Sequence, residues 1–174
     1  RNPLRKGLNT GLHALATLPD HYRLLVVGGK PGLRDQIRQQ LQALNMQDRV
    51  LLQGETSNVE PFYRAADIYV HPTLNDSFGM APLEAMSYGL PVVLSPAPWC
   101  GFAQYVQGGY HALLLSHPED ARELAQGIEA ISKNPVMARN LVENSRELLV
   151  QFSWPAVAAR YQDLYQKVLR RRQA

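Results

Sequence analysis

The 174-residue sequence contains only one cysteine, Cys100. A single cysteine excludes an internal disulfide and a metal site built from several cysteines, and it fits a reducing compartment. No stretch approaches the run of about eighteen apolar residues that a membrane-spanning helix needs, and no basic segment followed by an apolar run opens the chain. From these absences we expect a cytoplasmic protein.

The patterns of charged residues and histidines argue against further classes of function. The five histidines show no metal-ligand spacing, and only His71, which ends a predicted strand, keeps a functional role open. Basic residues do not alternate with aromatic ones, so we do not expect nucleic-acid binding. The formal net charge is +3, and part of the excess lies in residues 170–172. That basic end suits the negative pole of a helix dipole, while contact with an anionic membrane or a phosphorylated partner remains an alternative.

Short apolar runs alternate with segments of helical periodicity. Because the runs are almost continuously apolar, they indicate strands covered on both faces, as in a parallel sheet flanked by helices. We therefore predict an α/β, Rossmann-like fold that ends in a helical tail. The predicted strands are Arg23–Gly29, Arg49–Gly54, Asp67–Pro72, Pro91–Ser95 and His111–Leu115. The predicted helices are Gly7–Leu18, Gly32–Leu44, Val59–Ala66, Gly79–Tyr88, Phe102–Val106, Pro118–Ser132, Pro135–Gln151 and Pro155–Arg172.

The stretch HPTLNDSFGMAPLEAMSYGLPVVLS, from His71 to Ser95, contains the candidate site. Pro82 is tolerated only in the first turn of a helix, so it sets the helix start near Gly79. The amides of Gly79, Met80 and Ala81 would then point outward without partners at the carboxyl end of a parallel sheet. Such an arrangement predicts an anion site.

Two carboxylates bracket these amides. Asp76 lies in the loop before them, and Glu84 lies about one turn into the helix. Carboxylates repel a bare phosphate but accept hydrogen bonds from hydroxyl groups, so a diphosphate with hydroxylated rings at both ends would satisfy every group. This description fits a nucleotide sugar. The alternative is that Asp76 caps a turn and Glu84 is a solvated helix residue.

The segment NDSFGMAPLEAMSYGLPVV closely resembles the E-x7-E region of the retaining GT-B glycosyltransferases of glycosyltransferase family 4. Matching segments extend along nearly the whole chain: RKG, LLVVGG, RVLLQGET, FYRAADIYVHP and FSWPAVAARYQDLY. The resemblance implies that residues 1–174 are the donor-binding half of a GT-B fold. The first predicted helix has no strand before it, and we expect the N-terminal acceptor domain to lie outside this chain.

The resemblance also implies roles for individual residues. Glu84 would hold the ribose hydroxyls, and Asp76 would contact the donor sugar. Arg1 and Lys6 have the spacing of the Arg–Lys pair that neutralises the departing diphosphate. Backbone groups would meet the sugar and diphosphate at Phe78, Gly79, Met80 and Ala81.

The base of the nucleotide would rest against backbone near Gly54 and Val59, although core packing is an equal alternative for Val59. Gly29 would supply a tight turn near the donor. Three positions depart from the family pattern: Asp76 replaces the commoner Glu, Gln104 stands where many relatives carry Glu, and Cys100 takes the first glycine position of the same loop. The loop CGFAQYV resembles those of lipopolysaccharide core glucosyltransferases.

The resemblance therefore implies a retaining glycosyltransferase that needs no metal or other cofactor. It would move a sugar from a nucleotide sugar to a glycan or lipid-linked acceptor in bacterial surface polysaccharide or lipopolysaccharide synthesis, at the inner face of the cytoplasmic membrane. A non-catalytic nucleotide-binding or assembly module with the same fold is the alternative. An NAD-dependent oxidoreductase is disfavoured because Pro31 interrupts the glycine pattern after VVGGK.

Overall fold

A computed structural model describes the backbone of residues 4–173, and the side chains of these residues except 33 and 171–173. Within that part of the chain, five strands alternate with helices, and the last three helices follow one another without a strand between them. The strands are β1 (Leu24–Val27), β2 (Val50–Gln53), β3 (Tyr69–His71), β4 (Val92–Leu94) and β5 (Leu113–Leu114). The α-helices are α1 (Leu8–Thr17), α2 (Pro31–Ala43), α3 (Glu60–Ala65), α4 (Met80–Ser87), α5 (Ala121–Lys133), α6 (Pro135–Gln151) and α7 (Trp154–Gln173), and the 3-10 helices are Gln47–Arg49 and Gly101–Tyr105.

All strand pairs are parallel. In the first sheet β1 pairs with β2, and in the second β4 pairs with β3 on one side and β5 on the other. The predicted parallel sheet flanked by helices is thus confirmed, but its hydrogen-bonded ladders form two groups. Every predicted strand and helix contains the corresponding observed element, or overlaps it within a few residues.

Strand β4 shows why the apolar runs are continuous. Val92 and Leu94 are fully buried in a cluster that includes residues of α4 and α6. Val93, between them, is buried in a different cluster with residues of α1 and α5. Because successive side chains of a strand point to opposite faces, a strand covered on both faces needs an apolar residue at every position.

Helix starts follow the capping signals in the sequence. The carboxylate of Asp120 accepts from the Glu123 amide at the start of α5, at 2.8 Å. The Ser153 hydroxyl accepts from the Ala156 amide at 3.4 Å at the start of α7. These side chains satisfy amides that a helix start leaves unpaired.

The segment before α1 is tied to the loop after β3. The Arg5 carbonyl accepts from the Leu74 amide at 3.0 Å and from the Thr73 hydroxyl at 3.2 Å. The Arg5 guanidinium donates to the Asn75 side-chain oxygen at 2.9 Å. These bonds bring the start of the chain to the carboxyl end of β3, where the candidate site was predicted.

Candidate functional site

Lys6 and Asp76 form the central ion pair of the predicted site. Lys6 Nζ lies 2.5 Å from Asp76 Oδ2, and the two side chains are 36% and 19% exposed. Lys6 immediately precedes Gly7, the cap of α1, which offers no side chain to the helix amides. A cation there opposes the helix dipole, so the nearby carboxylate compensates an otherwise unfavourable position. The pair is accessible enough for a ligand to reach the ammonium group.

Asp76 also contacts a buried histidine. His71 Nε2 lies 3.1 Å from the same oxygen, Asp76 Oδ2, and His71 Nδ1 lies 3.4 Å from the Tyr69 hydroxyl. Burial raises the pKa of Asp76, but the hydrogen bond and charge of Lys6 outweigh burial, so the pKa of Asp76 falls below its usual value. An ionised carboxylate only accepts, and therefore His71 Nε2 carries the proton and Nδ1 accepts from Tyr69.

His71 is kept neutral by its surroundings. Burial lowers the pKa of His71 to about 4, the charge of Asp76 partly opposes this shift, and the charge of Lys6 adds to it. Burial likewise raises the pKa of Tyr69 far above its ordinary range, so Tyr69 remains a hydroxyl donor. At neutral pH the cluster of Lys6, Asp76, His71 and Tyr69 therefore contains one cation and one anion.

The start of α4 is open, as the sequence predicted. Gly79 caps the helix with φ 93° and ψ 62°, and no side chain caps it. Among residues 4–173, no protein acceptor bonds the amides of Gly79, Met80 or Ala81. Pro82 lies in the first turn, where its missing N–H costs nothing. These amides are available to an anion.

Gly79 is required at this cap by two independent constraints. Its positive φ lies in the left-handed region, which residues with a Cβ adopt only at a cost. A Cβ added to Gly79 would also lie 2.7 Å from the sulfur of Cys100, which is fully buried. Cys100 thus acts as a packing residue beneath the turn, and burial raises the pKa of its thiol.

Phe78 belongs to the core rather than to the open face. Its ring packs near those of Phe102, Tyr105 and Phe152, with centroids 5.5–6.3 Å away. Its carbonyl accepts from the amide of Phe102 and from the Cys100 thiol. The Phe78 carbonyl is therefore already hydrogen-bonded within the protein. Only the Phe78 amide is left for a ligand.

Glu84, the second predicted acid, is exposed on α4 and contacts α3. The Tyr63 hydroxyl donates to Glu84 Oε2 at 3.0 Å, and the Tyr63 ring stacks on Tyr88 at 5.1 Å. Tyr63 thereby orients the carboxylate proposed to hold the ribose. Tyr63 is not among the residues predicted from the sequence, because no spacing in the sequence signals a contact between two separate helices.

Two residues were predicted to lie near the base and one to form the turn near the donor, and all three lie around the first sheet. Gly29 follows β1 with φ 87° and is buried, and Gly54 directly follows β2. Val59 caps α3 and is 37% exposed, which disfavours the core-packing alternative for it. Arg1 lies outside the described residues.

The arrangement can bind a charged group flanked by hydroxyls. It combines a cation, unpaired helix-start amides and two acids at the carboxyl ends of parallel strands, the usual location of ligand sites in such sheets. In the described part of the chain, no cluster of three or more His, Cys, Asp or Glu side chains is arranged to hold a metal ion. No helix among residues 4–173 combines the length and apolar character needed to cross a membrane.

Comparison with known proteins identifies the same type of sequence and fold. A family model described as "Glycosyl transferases group 1" matches residues 1–148. The D-inositol 3-phosphate glycosyltransferase of Xylanimonas cellulosilytica is 31% identical over 180 aligned positions, which cover 100% of this chain and 42% of that protein. The lipopolysaccharide glucosyltransferase WaaG of Escherichia coli is 28% identical, with 92% of this chain and 42% of that protein covered.

A solved structure confirms the fold. HepE from Anabaena, crystallised in complex with UDP, superposes with a TM-score of 0.84 at 24% identity, over 95% of this chain and 46% of that chain. The chain thus spans less than half the length of each of these three proteins.

Proposed function

Since this chain belongs to the group 1 glycosyl transferases, we propose that it forms the nucleotide-sugar-binding half of a retaining GT-B enzyme of glycosyltransferase family 4. One observation carries the proposal: the free amides at the start of α4 begin three residues after Asp76, the partner of Lys6. An acceptor-binding domain would be supplied by the part of a longer protein that this chain does not span.

In the proposed reaction, the bond between the anomeric carbon of the sugar and the phosphate oxygen breaks, a bond to the acceptor hydroxyl oxygen forms, and the proton of that hydroxyl passes to the departing diphosphate or to water. Negative charge develops on the departing diphosphate. Lys6, Arg1 and the amides of Gly79, Met80 and Ala81 would stabilise that charge, which is the largest demand of such a step. We propose that no metal or other cofactor is needed, because these groups supply the positive potential.

The carboxylates would serve the two ends of the donor. Glu84, oriented by Tyr63, would accept hydrogen bonds from the ribose hydroxyls. Asp76 would accept from hydroxyls of the sugar while His71 and Lys6 fix its position. Asp76 is one methylene shorter than the Glu of the common family pattern, so its carboxylate would extend less far toward the sugar than the carboxylate of that Glu.

UDP is the first candidate nucleotide, because HepE, with the same fold, was crystallised with it. The similarity to WaaG supports an acceptor of the lipopolysaccharide or surface-polysaccharide class. Such acceptors are assembled at the inner face of the cytoplasmic membrane, and we propose a peripheral contact there.

Calorimetric titration with UDP, GDP and ADP tests the proposal. We expect saturable binding of at least one nucleotide, and a roughly tenfold loss of affinity in Glu84→Ala, since a hydrogen bond to a charged group is worth about 1.5–3 kcal/mol. Glu143→Ala, which removes the same charge from an exposed position of α6, is the control and should leave binding unchanged. Failure of all three nucleotides to bind would instead favour a non-catalytic module.

A further inference from the structure

Arg34, on α2, is a cation that has no partner among the described residues. Its Nε is buried and has no hydrogen-bond partner, and among the described residues no acceptor bonds the rest of its guanidinium group. The next arginine on the same helix, Arg38, pairs with Asp35 at 2.9 Å. A buried donor left unpaired costs free energy, so an arginine in this state indicates an acceptor supplied from outside the protein.

The guanidinium of Arg34 lies against the backbone that follows β2. A Cβ built on Gly54 would be 3.0 Å from Arg34 Nη1 and 3.3 Å from Cζ. A Cβ built on Gly29, which follows β1, would be 3.8 Å from Arg34 Cγ. The side chain therefore extends from the turn after β1 to the turn after β2, and glycine at position 54 leaves the room that the guanidinium fills.

This position continues the proposed donor site. From Gly54 the chain leads to Val59, the exposed cap of α3, and the amide of Tyr63, one turn later, bonds back to the Val59 carbonyl. The Tyr63 hydroxyl in turn contacts Glu84. A ribose held by Glu84 would direct its base toward Val59 and Gly54, where the Arg34 guanidinium lies.

We propose that Arg34 reads the nucleotide base, donating hydrogen bonds to its carbonyl oxygen, and so favours uracil or guanine over adenine. This inference rests on the proposed function. A guanidinium has five N–H donors and no acceptor. Uracil and guanine present carbonyl oxygens on their base edges, whereas adenine presents an amino donor beside its ring nitrogen. A donor-only side chain therefore pairs with a carbonyl oxygen of uracil or guanine, whereas adenine offers it only ring nitrogens and places an amino donor beside them, which weakens the pairing.

Titration of UDP, GDP and ADP into the wild-type protein and Arg34→Met tests the assignment. Methionine keeps an unbranched apolar stem for packing and removes every donor. We expect the wild-type protein to bind UDP or GDP more tightly than ADP, and Arg34→Met to weaken the preferred nucleotide at least about tenfold while changing ADP less than about threefold. Arg34→Lys, which keeps a charge and donors without the planar fork, should lie between the two. Arg38→Met is the matched control, with an expected change of less than about twofold.

Thermal unfolding distinguishes a role of Arg34 in nucleotide recognition from a role in stabilising the fold. Because Nε is unpaired in the free protein, Arg34→Met should unfold at the same temperature as the wild-type protein or a higher one, even though it binds more weakly. A lower unfolding temperature together with an unchanged base preference would overturn the inference.

The remaining outcomes distinguish the two proposals. Equal loss of UDP, GDP and ADP in Arg34→Met would place the guanidinium on the diphosphate and overturn base reading, as would a wild-type preference for ADP. Either result leaves the proposed donor site intact. Absence of saturable binding by the wild-type protein would overturn the proposed function, and this inference with it.

Discussion

Lys6 Nζ and Asp76 Oδ2 lie 2.5 Å apart although 70 residues separate them in the chain. The pair joins the segment before α1 to the loop after β3, and His71 Nε2 contacts the same oxygen from the buried side. Lys6 therefore stands at the site before any ligand arrives. A diphosphate would meet a cation whose position is already set by Asp76, which reduces the entropy lost on binding.

Replacing Lys6 by methionine should weaken the binding of UDP at least about tenfold, because a hydrogen bond to a charged group is lost. Uridine, which has no phosphate, should lose less than about twofold. The comparison is made by titrating both ligands into the variant and the wild-type protein. Lys133→Met removes an exposed lysine from α5 that pairs only with Glu129 in the described contacts, and it should leave both affinities unchanged. Equal losses for UDP and uridine in Lys6→Met would show that Lys6 does not act on phosphate.

Gly79→Ala should destabilise the protein by about 2–4 kcal/mol, from left-handed backbone strain plus overpacking against Cys100. Gly32 on α2 is the matched control, because among the described residues no atom outside its chain neighbours and the adjacent helix backbone lies within 4 Å of a Cβ built there. Gly32→Ala should cost nothing and could stabilise the helix by up to about 0.5–1 kcal/mol. Urea unfolding of the three proteins measures these differences. Equal stabilities of Gly79→Ala and the wild-type protein would contradict the described helix start.

Stability should fall on mild acidification because of His71. Its pKa is about 4 in the folded protein and about 6.5 when unfolded, so between these values the unfolded state binds a proton that the folded state does not. The free energy of unfolding therefore decreases as pH falls from about 6.5 to 4, and His71 contributes at most about 3 kcal/mol of the change.

Urea unfolding at several pH values checks this expectation. His71→Gln, which cannot titrate, should show a smaller loss of stability across that range than the wild-type protein. His13→Gln removes an exposed histidine of α1 and should retain the wild-type slope. A His71→Gln slope equal to that of the wild-type protein would mean that His71 is not buried as a neutral side chain.

Local chemistry made most of the fold predictable. Apolar runs located every strand, and Pro82 located the start of α4, because each signal acts within a few residues. The division of the strands into two ladders was not predictable, since strand order depends on contacts between distant segments.

The candidate site shows the same contrast between features set by local sequence and features set by contacts between distant segments. The free amides at Gly79 followed from the sequence alone, whereas the proximity of Lys6 to Asp76 was implied only by family resemblance. Tyr63 and Arg34 were missed, because nothing local distinguishes a tyrosine that meets a carboxylate on another helix, or an arginine that lacks a partner, from ordinary surface residues.

Nuclear magnetic resonance of backbone amides during titration with UDP tests the central claim most directly. If the unpaired amides at the start of α4 bind the diphosphate, the signals of Gly79, Met80 and Ala81 should move with saturation, among the largest shifts in the protein, and uridine should move them far less. Saturable UDP binding that leaves these three signals in place would contradict the account.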